Sequence, residues 1–442
     1  MKYTIIGAGL VGALASIYLK KRGNEVVVYE KRKDLRTNPD ERGRSINMAL
    51  SDRGWLALEK VGMADVVKSE AIPMYGRMIH AKDGQQTFQA YGLQNQAIYS
   101  ISRNKLTQIL IDESEKIGVQ FSFKNKIIDV DLRDKEVVFE QNESLHKIHY
   151  DCLIGTDGAF SEVRSVLTKT DRFDYHQWYL SHGYKELHIP AGASGEHQLD
   201  KNSLHIWPRG EFMLIALPNK DGSFTCTLFL PFEGNHSFQN LHSKTEILDF
   251  FKENFSDTLD IMPSLVDDFL QNPTSSLINV SCYPWTYKDS VVLMGDAAHA
   301  IVPFYGQGMN AGFEDVRVFD ELFDLDMPFE DILKKYQENR KPNADAIAHM
   351  ALENFIEMRE KVGDMQFLLR KKIDAHLHQC FPEVWVPQYT LVTFSPHTSY
   401  VEALKKGNFQ NSILDEILQI PDISNQWNQL DYTSILKKYF HF

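Results

Sequence analysis

SVVLMGDAAHAIVPFYGQGMN, residues 290–310, changes character twice along its length. Ser290 to Met294 is an apolar, β-branched run that predicts a buried strand. Gly295-Asp296 ends it, and a loop rich in proline and glycine (Pro303, Gly306, Gly308) leads into the helical pattern AGFEDVRVFDELF. A helix starting near Gly308 aims unpaired backbone N–H groups and the positive end of its dipole at whatever lies before it. Such a place suits a ligand that gains negative charge. Asp296, at the strand's end, would accept hydrogen bonds from a polyol or a ribose. Taken alone, the stretch is a strand–loop–helix with an anion site.

The chain's beginning gives that site a context. Tyr3–Gly7 predicts a strand, Gly7-Ala8-Gly9-Leu10-Val11-Gly12 a tight turn, Ala13–Arg22 a helix closed by Gly23, and Glu25–Glu30 a second strand. This is the βαβ fingerprint of an adenine-dinucleotide site in its required frame, with an acidic residue about twenty residues on. Gly7 makes the turn, Gly9 lets the backbone approach a pyrophosphate, and Gly12 lets helix and strand pack closely. Glu30 would bind a ribose 2′-OH, which NAD and the adenosine of FAD both offer. The fingerprint does not choose between them. Joined to residues 290–310, whose helix end suits the pyrimidine edge of a reduced flavin, it points to a flavoprotein.

A third junction stands between these two. Tyr150–Ile154 predicts a strand running into Gly155-Thr156-Asp157-Gly158 and a helix, which puts Asp157 where Asp296 stands in the other junction; plain loop punctuation is the alternative. Ser102 is a fair N-cap for a helix over Asn104–Ile117. Arg103 in its first turn opposes the helix dipole, so an anionic partner such as a pyrophosphate is expected. For Arg42 and Arg44 two readings stand, phosphate contact or a solvated loop.

Composition bounds the rest. The 442 residues allow two domains, and 43% hydrophobic with 24% charged residues is ordinary for a soluble globular chain. A net charge of −13 argues against nucleic acid or an anionic membrane surface as partner. The four cysteines have no CxxC pair, so no metal site and no disulfide framework is expected, and a reducing, cytoplasmic setting fits. No uncharged apolar window of about 18 residues appears, so no membrane span is expected.

The predicted fold class is α/β: a Rossmann-like FAD-binding domain with an inserted antiparallel-sheet substrate domain and a C-terminal helical cap. The FAD-binding parts are 1–72, 101–177 and 281–328; the substrate parts are 73–100 and 178–280; the cap is 329–442. Trp178–Ile189, Ser203–Trp207, Glu211–Leu217 and Ser223–Leu230 predict the inserted strands, with Tyr75–His80 and Gln86–Tyr91 a hairpin through Asp83-Gly84. Leu241–Asn254 and Leu259–Asn272 predict helices. In the cap, Asp345–Val362 predicts a helix ended by Gly363, Phe367–Leu377 a further helix, and Gln388–Phe394 a strand.

Taken together, the GAGLVG, GTDGA and GDAAHAIVPFYGQGMN junctions resemble in order and spacing those of the single-component flavin hydroxylases of the 4-hydroxybenzoate hydroxylase-like fold. Members hold FAD tightly, take electrons from NAD(P)H, and hydroxylate an aromatic ring through a flavin C4a-hydroperoxide. The runs GRSINMALSDRG, IPMYGRMIH, YSISRNKL, MALENFIEMR and PQYTLVTF are similar to those of the kynurenine 3-monooxygenase family, over residues 1 to about 405. That resemblance implies tightly bound FAD, NADPH as cosubstrate, O2, an aromatic amino acid substrate and no metal, on a route toward quinolinate and NAD. It implies that Arg77, Tyr91, Asn354 and Tyr389 hold the amino acid end of L-kynurenine. Spacing alone would read Tyr91 as sheet filling and Asn354 as a helix-surface amide.

The resemblance also places Pro303, Phe304, Tyr305 and Gln307 against flavin and ring. It assigns FAD contacts to Gly7, Gly9, Val11, Gly12, Glu30, Lys31, Arg32, Ala49, Arg103, Asp157, Asp296, Gly308, Met309 and Asn310. Animal members carry a C-terminal membrane anchor; none reads from this sequence, so a soluble, bacterial-type enzyme is expected. NADPH against NADH is not fixed by any motif. The rival readings are a hydroxylase of another aromatic acid, and a binding protein that keeps the fold without redox chemistry, as Rab GDP-dissociation inhibitors do.

Overall fold

The structure, a computed structural model, describes residues 1–37, 47–92, 95–357 and 365–440. Arg42, Arg44 and Gly363 lie outside these residues. Six strands form the nucleotide-binding sheet in the order Thr286–Tyr287, Val291–Leu293, Cys152–Gly155, Lys2–Ile6, Glu25–Glu30, Gln120–Phe123. All neighbours but the first pair are parallel. Their β-branched and apolar residues are covered on both faces, the usual state of a parallel sheet. Ile5, Val28, Ile154 and Val292 are wholly buried.

The second sheet has seven strands: Ser275–Tyr283, Asp174–Ile189, Phe224–Pro231, Met213–Pro218, Ser203–Pro208, Gly76–His80, Gln86–Ala90. It is antiparallel except where Ser203–Pro208 meets Gly76–His80. The chain between those two strands passes through the nucleotide-binding sheet, and so long a crossover permits parallel pairing. Side chains alternate between two cores, as a pleat requires. Leu214, Ala216, Leu228 and Leu230 pack with Phe251 and Phe255 of the helical side. Met213 and Phe229 face the other way, against Phe304, Tyr305 and Ile347. The second face is where a ligand can be enclosed between sheet, loop and cap.

Several elements depart from expectation. Gln388–Phe394 is a helix, not a strand. Its β-branched and aromatic residues suggested a strand, but Thr390 to Phe394 are buried without alternation and no neighbouring strand pairs with them. Periodicity cannot separate a short buried helix from a buried strand. Phe329–Ile356 is one helix containing Pro342, beginning well before the expected Asp345. Leu259–Asn272 divides at Pro263 into a 3-10 turn, Ser256–Ile261, and the helix Leu265–Gln271. Asp296 opens a short helix, Asp296–His299, rather than a loop.

On the helical side of the second sheet, His205 is buried with Nε2 2.8 Å from the Asp200 carbonyl and Nδ1 2.8 Å from Nε2 of His80. A carbonyl only accepts, so the His205 proton sits on Nε2 and Nδ1 accepts from His80. Burial, then the neighbouring His80, pushes the His205 pKa down to about 4. The folded state therefore holds this imidazole neutral while the unfolded chain protonates it near its ordinary value. Stability should fall as the pH drops from about 6.5 toward 4, by on the order of 3 kcal/mol for this group. Urea unfolding at a series of pH values, on wild type and His205→Gln, measures it. A wild-type profile no steeper than the variant's removes His205 as the cause.

Candidate active site

The parallel strands Val291–Leu293, Cys152–Gly155 and Lys2–Ile6 are adjacent, so the three glycine junctions fall along one sheet edge. They are in contact as well. Thr156 Oγ1 donates to the carbonyls of Ile6 (2.8 Å) and Gly7 (3.0 Å), joining the first junction to the second. Val11 joins the first to the third: β-carbons built on Gly295 and Gly312 would lie 2.9 and 2.6 Å from its Cγ2. Gly7 has φ +103°, and a β-carbon on Gly12 would lie 2.0 Å from the Gly7 oxygen. Nothing lies within 4 Å of the corresponding position on Gly9. That opening, at the N-terminus of the Leu10–Lys21 helix, is where a diphosphate gains from free N–H groups and the dipole.

Around this opening the polar groups fit FAD. Glu30 is buried at the end of its strand and accepts from Ala8 N and from Arg32 N and Nε, each at 2.9 Å. Burial works against its charge, but Arg32 and these N–H groups outweigh it, and its carboxyl titrates below the ordinary range. Asp296 is the one exposed residue in the run Val291–Ala300, with no recorded partner for its carboxylate among the described residues. It is open to a ligand's hydroxyl groups. Lys31, Arg32 and Arg103 are exposed.

Three residues expected to meet ligands already have protein partners for their side chains. Asp157 accepts from Ser161 Oγ (2.6 Å), Glu162 N (2.7 Å) and Val163 N (3.2 Å), so it caps the Glu162–Leu167 helix. Burial outweighs these bonds and raises its pKa. Asn310 accepts from Ser51 N (3.0 Å) and donates to the carbonyls of Ala49 (2.9 Å) and Gly306 (2.8 Å). Its amide closes the turn, leaving the backbone N–H groups of Gly308 and Met309 at the helix start as the groups for a pyrimidine edge. Gln307 is buried and accepts from Tyr400 Oη at 3.0 Å, tying the loop to the cap.

Beyond that loop stands an aromatic ladder. Tyr305 stacks on Tyr389 (centroids 5.5 Å apart, 22° between planes), and Tyr389 on Tyr91 (5.5 Å, 15°). The Arg77 guanidinium carbon lies 4.8 Å from the Tyr389 ring centre and 5.5 Å from that of Tyr91. Cation–π attraction favours this placement. Four distant segments thus supply one site. Phe304 stacks on Phe355 at 4.2 Å and contacts Phe229 at 5.0 Å, while its carbonyl accepts from Asn354 Nδ2 at 2.6 Å. Asn354 therefore grips the loop that carries Phe304 and Tyr305; Pro303 is exposed.

Arg77 Nε and Tyr91 Oη are buried without a well-aligned hydrogen-bond partner, although guanidinium and hydroxyl are close enough to influence each other. Burial, then the neighbouring Tyr389, holds the Tyr91 hydroxyl well above its ordinary range, and the Tyr305 hydroxyl is held up likewise. Both stay neutral donors. Two buried donors, Nε and Oη, without aligned acceptors are costly. A ligand carboxylate would satisfy both. Sequence reasoning gave no site role to Phe355, Tyr400, Ser51 or Arg53; Phe355 lies within the run MALENFIEMR, Ser51 and Arg53 within GRSINMALSDRG, and Tyr400 outside the quoted runs.

Comparison with known proteins identifies relatives of this chain. The family model described as an FAD binding domain matches residues 1–183 and 271–351. The kynurenine 3-monooxygenase of Flavobacterium johnsoniae is 50% identical over 431 residues, covering 97% of this chain and 96% of the relative. That of Dictyostelium discoideum is 49% identical over 437 residues, covering 96% and 94%. Among solved structures, p-nitrophenol 4-monooxygenase PnpA from Pseudomonas putida superposes with a TM-score of 0.69 at 17% identity, covering 90% of this chain and 98% of that one. 2-Methyl-3-hydroxypyridine-5-carboxylic acid oxygenase gives 0.67 at 19%, covering 82% and 93%. These two similarities establish the fold alone. At half identity over nearly the full length of both chains, the relatives establish more: the chain belongs to the kynurenine 3-monooxygenase family.

Proposed function

We propose that the chain is an FAD-dependent monooxygenase that converts L-kynurenine, NADPH, O2 and a proton to 3-hydroxykynurenine, NADP+ and water. The observation that carries this reading is Arg77, held against the stacked tyrosines with its Nε unsatisfied and no ionic partner among the described residues. A planar guanidinium that stays charged at any working pH is the group of choice for an α-carboxylate. Tyr91 adds a neutral donor. Tyr305, at the end of the ladder, offers a flat face to an aromatic substrate. The relatives are named for kynurenine, which has a carboxylate at one end and an aminoaryl ring at the other.

FAD, when bound, supplies the electrons taken from NADPH and the activated oxygen. Gly9, Glu30, Asp296 and the N–H groups at Gly308 and Met309 would hold it. The amino group on the substrate ring activates the carbon beside it, so the protein need not supply a base. Its own tasks are to orient the ring and exclude water, and the Phe304–Phe355–Phe229 contacts build such a wall. The four free cysteines, three of them buried, support a cytoplasmic setting. Among the described residues no helix is long and apolar enough to cross a membrane.

Stopped-flow reduction of the purified yellow protein by NADPH tests the reading. Kynurenine is expected to accelerate the reduction, and mass spectra of the aerobic product to show one added oxygen. Reduction indifferent to kynurenine, or a product of unchanged mass, would count against it.

A further inference from the structure

Arg53, near the start of the Asp52–Lys60 helix, is fully buried. Its guanidinium reaches into the C-terminal cap. Nε donates to the Val392 carbonyl at 2.6 Å, and Nη2 to the carbonyls of Thr398 (2.5 Å), Leu391 and Ser395 (both 3.4 Å). The guanidinium carbon also stands 4.0 Å over the ring of Tyr400. Nη1 lies 3.2 Å from Glu314 on the Gly308–Leu322 helix, and Glu314 is shared with Arg340 and Arg317.

Leu391 and Val392 belong to the last turn of the Gln388–Phe394 helix, whose carbonyls have no intrahelical partner. Arg53 satisfies them from a distant segment and sets a positive charge at the negative end of the dipole. A helix of seven residues cannot hold itself together, so docking fixes its direction. That helix carries Tyr389, the middle ring of the ladder and the closest one to Arg77.

We propose that Arg53 is a positioning residue for substrate binding: by gripping the C-terminal end of the Gln388–Phe394 helix it sets Tyr389 against Arg77. The inference rests on the function proposed above and adds a specific source of its substrate affinity. It separates two roles that a buried arginine usually combines. The Glu314 contact serves the fold, while the carbonyl contacts serve the substrate pocket.

Arg53→Lys tests it. A lysine keeps a cation beside Glu314 but cannot fork to several carbonyls. In the flavin-loaded variant, the KM for kynurenine and its Kd from flavin-fluorescence titration are expected to rise about tenfold, the scale of a misplaced binding group. Hydrogen peroxide released per NADPH should rise too. FAD content should stay near wild type and kcat should fall far less than KM rises, with a modest loss of Tm from the carbonyls left unpaired. Unchanged Kd and coupling would overturn the proposal, as would loss of flavin and Tm with a wild-type Kd in the loaded fraction. Should the lysine variant not fold, Arg53→Met, which leaves Glu314 paired with Arg340 and Arg317, must show the same split or the proposal falls. Wild type run in parallel keeps the two readings apart. If it fails to bind kynurenine, the proposed substrate is wrong; if it binds and the variants match it, only the role of Arg53 is lost.

Discussion

Arg77→Ala is expected to raise the KM for kynurenine roughly ten- to a hundredfold without lowering the Tm. The first half follows from the usual worth of a charge-assisted hydrogen bond, about 1.5–3 kcal/mol. The second half follows from what Arg77 lacks. Its Nε is buried without an aligned partner, beside a Tyr91 hydroxyl in the same condition. Desolvation works against its charge, but Tyr389 and Tyr91, whose rings lie 4.8 and 5.5 Å from the guanidinium carbon, outweigh it, and no ionic partner holds Arg77 among the described residues. Arg77 holds no ion pair among these residues, so its removal strands no opposite charge, and function and stability should separate at this residue. Thermal unfolding with and without kynurenine reads both effects at once: wild type should gain Tm with kynurenine and the variant should not. A variant that loses Tm and keeps its kynurenine affinity would show that Arg77 serves the sheet and not the substrate.

The contrast between Arg77 and the glycines explains how much of the molecule was legible in its sequence. The turn at Gly7, with φ +103°, is a local constraint, so the residues that satisfy it appear at fixed spacing and can be read directly. The adjacency of the three junctions follows almost as surely. Each ends a parallel strand, and parallel strands share one direction. The tyrosine ladder obeys no such rule. Tyr91 follows an edge strand, Tyr305 lies in a loop and Tyr389 on a helix, and no spacing connects them. Only the family resemblance drew Arg77, Tyr91, Asn354 and Tyr389 together.

Where a residue's chemistry allowed two roles, the sequence could not choose. Asp157 and Asp296 end neighbouring strands in equivalent positions, yet Asp157 is spent on capping a helix while Asp296 remains open. What separates them is Ser161 and the helix N–H groups that follow Asp157, a distinction made by geometry over a few ångströms. The Gln388–Phe394 segment failed for a different reason. Its residue types favour a strand, and packing against the cap overrides a weak local preference. Arg53, far from Val392 and Thr398 in sequence but donating to both carbonyls, is one of the contacts that do so.

Gly12→Ala should yield protein without flavin. A β-carbon there would stand 2.0 Å from the Gly7 oxygen and 2.5 Å from Thr156 Oγ1. Neither can retreat easily. The Gly7 oxygen belongs to a turn fixed by its positive φ, and it already accepts from Thr156 Oγ1 at 3.0 Å. The Leu10–Lys21 helix must then draw away from the sheet, at about 3 kcal/mol or more for an overpacked contact that involves backbone. The N–H groups at the helix start withdraw from the diphosphate position with it. Gly9→Ala makes the informative comparison, because its β-carbon meets nothing within 4 Å and its φ of −73° is open to any residue. That variant should fold as stably as flavin-free wild type and still bind FAD weakly, since the added methyl occupies space left for the ligand. The ratio of flavin to protein absorbance, with unfolding of the flavin-free forms, distinguishes the two. Full flavin content in Gly9→Ala would mean that the opening beside Gly9 is not where the dinucleotide lies, and the assignment of the sheet edge would fail with it.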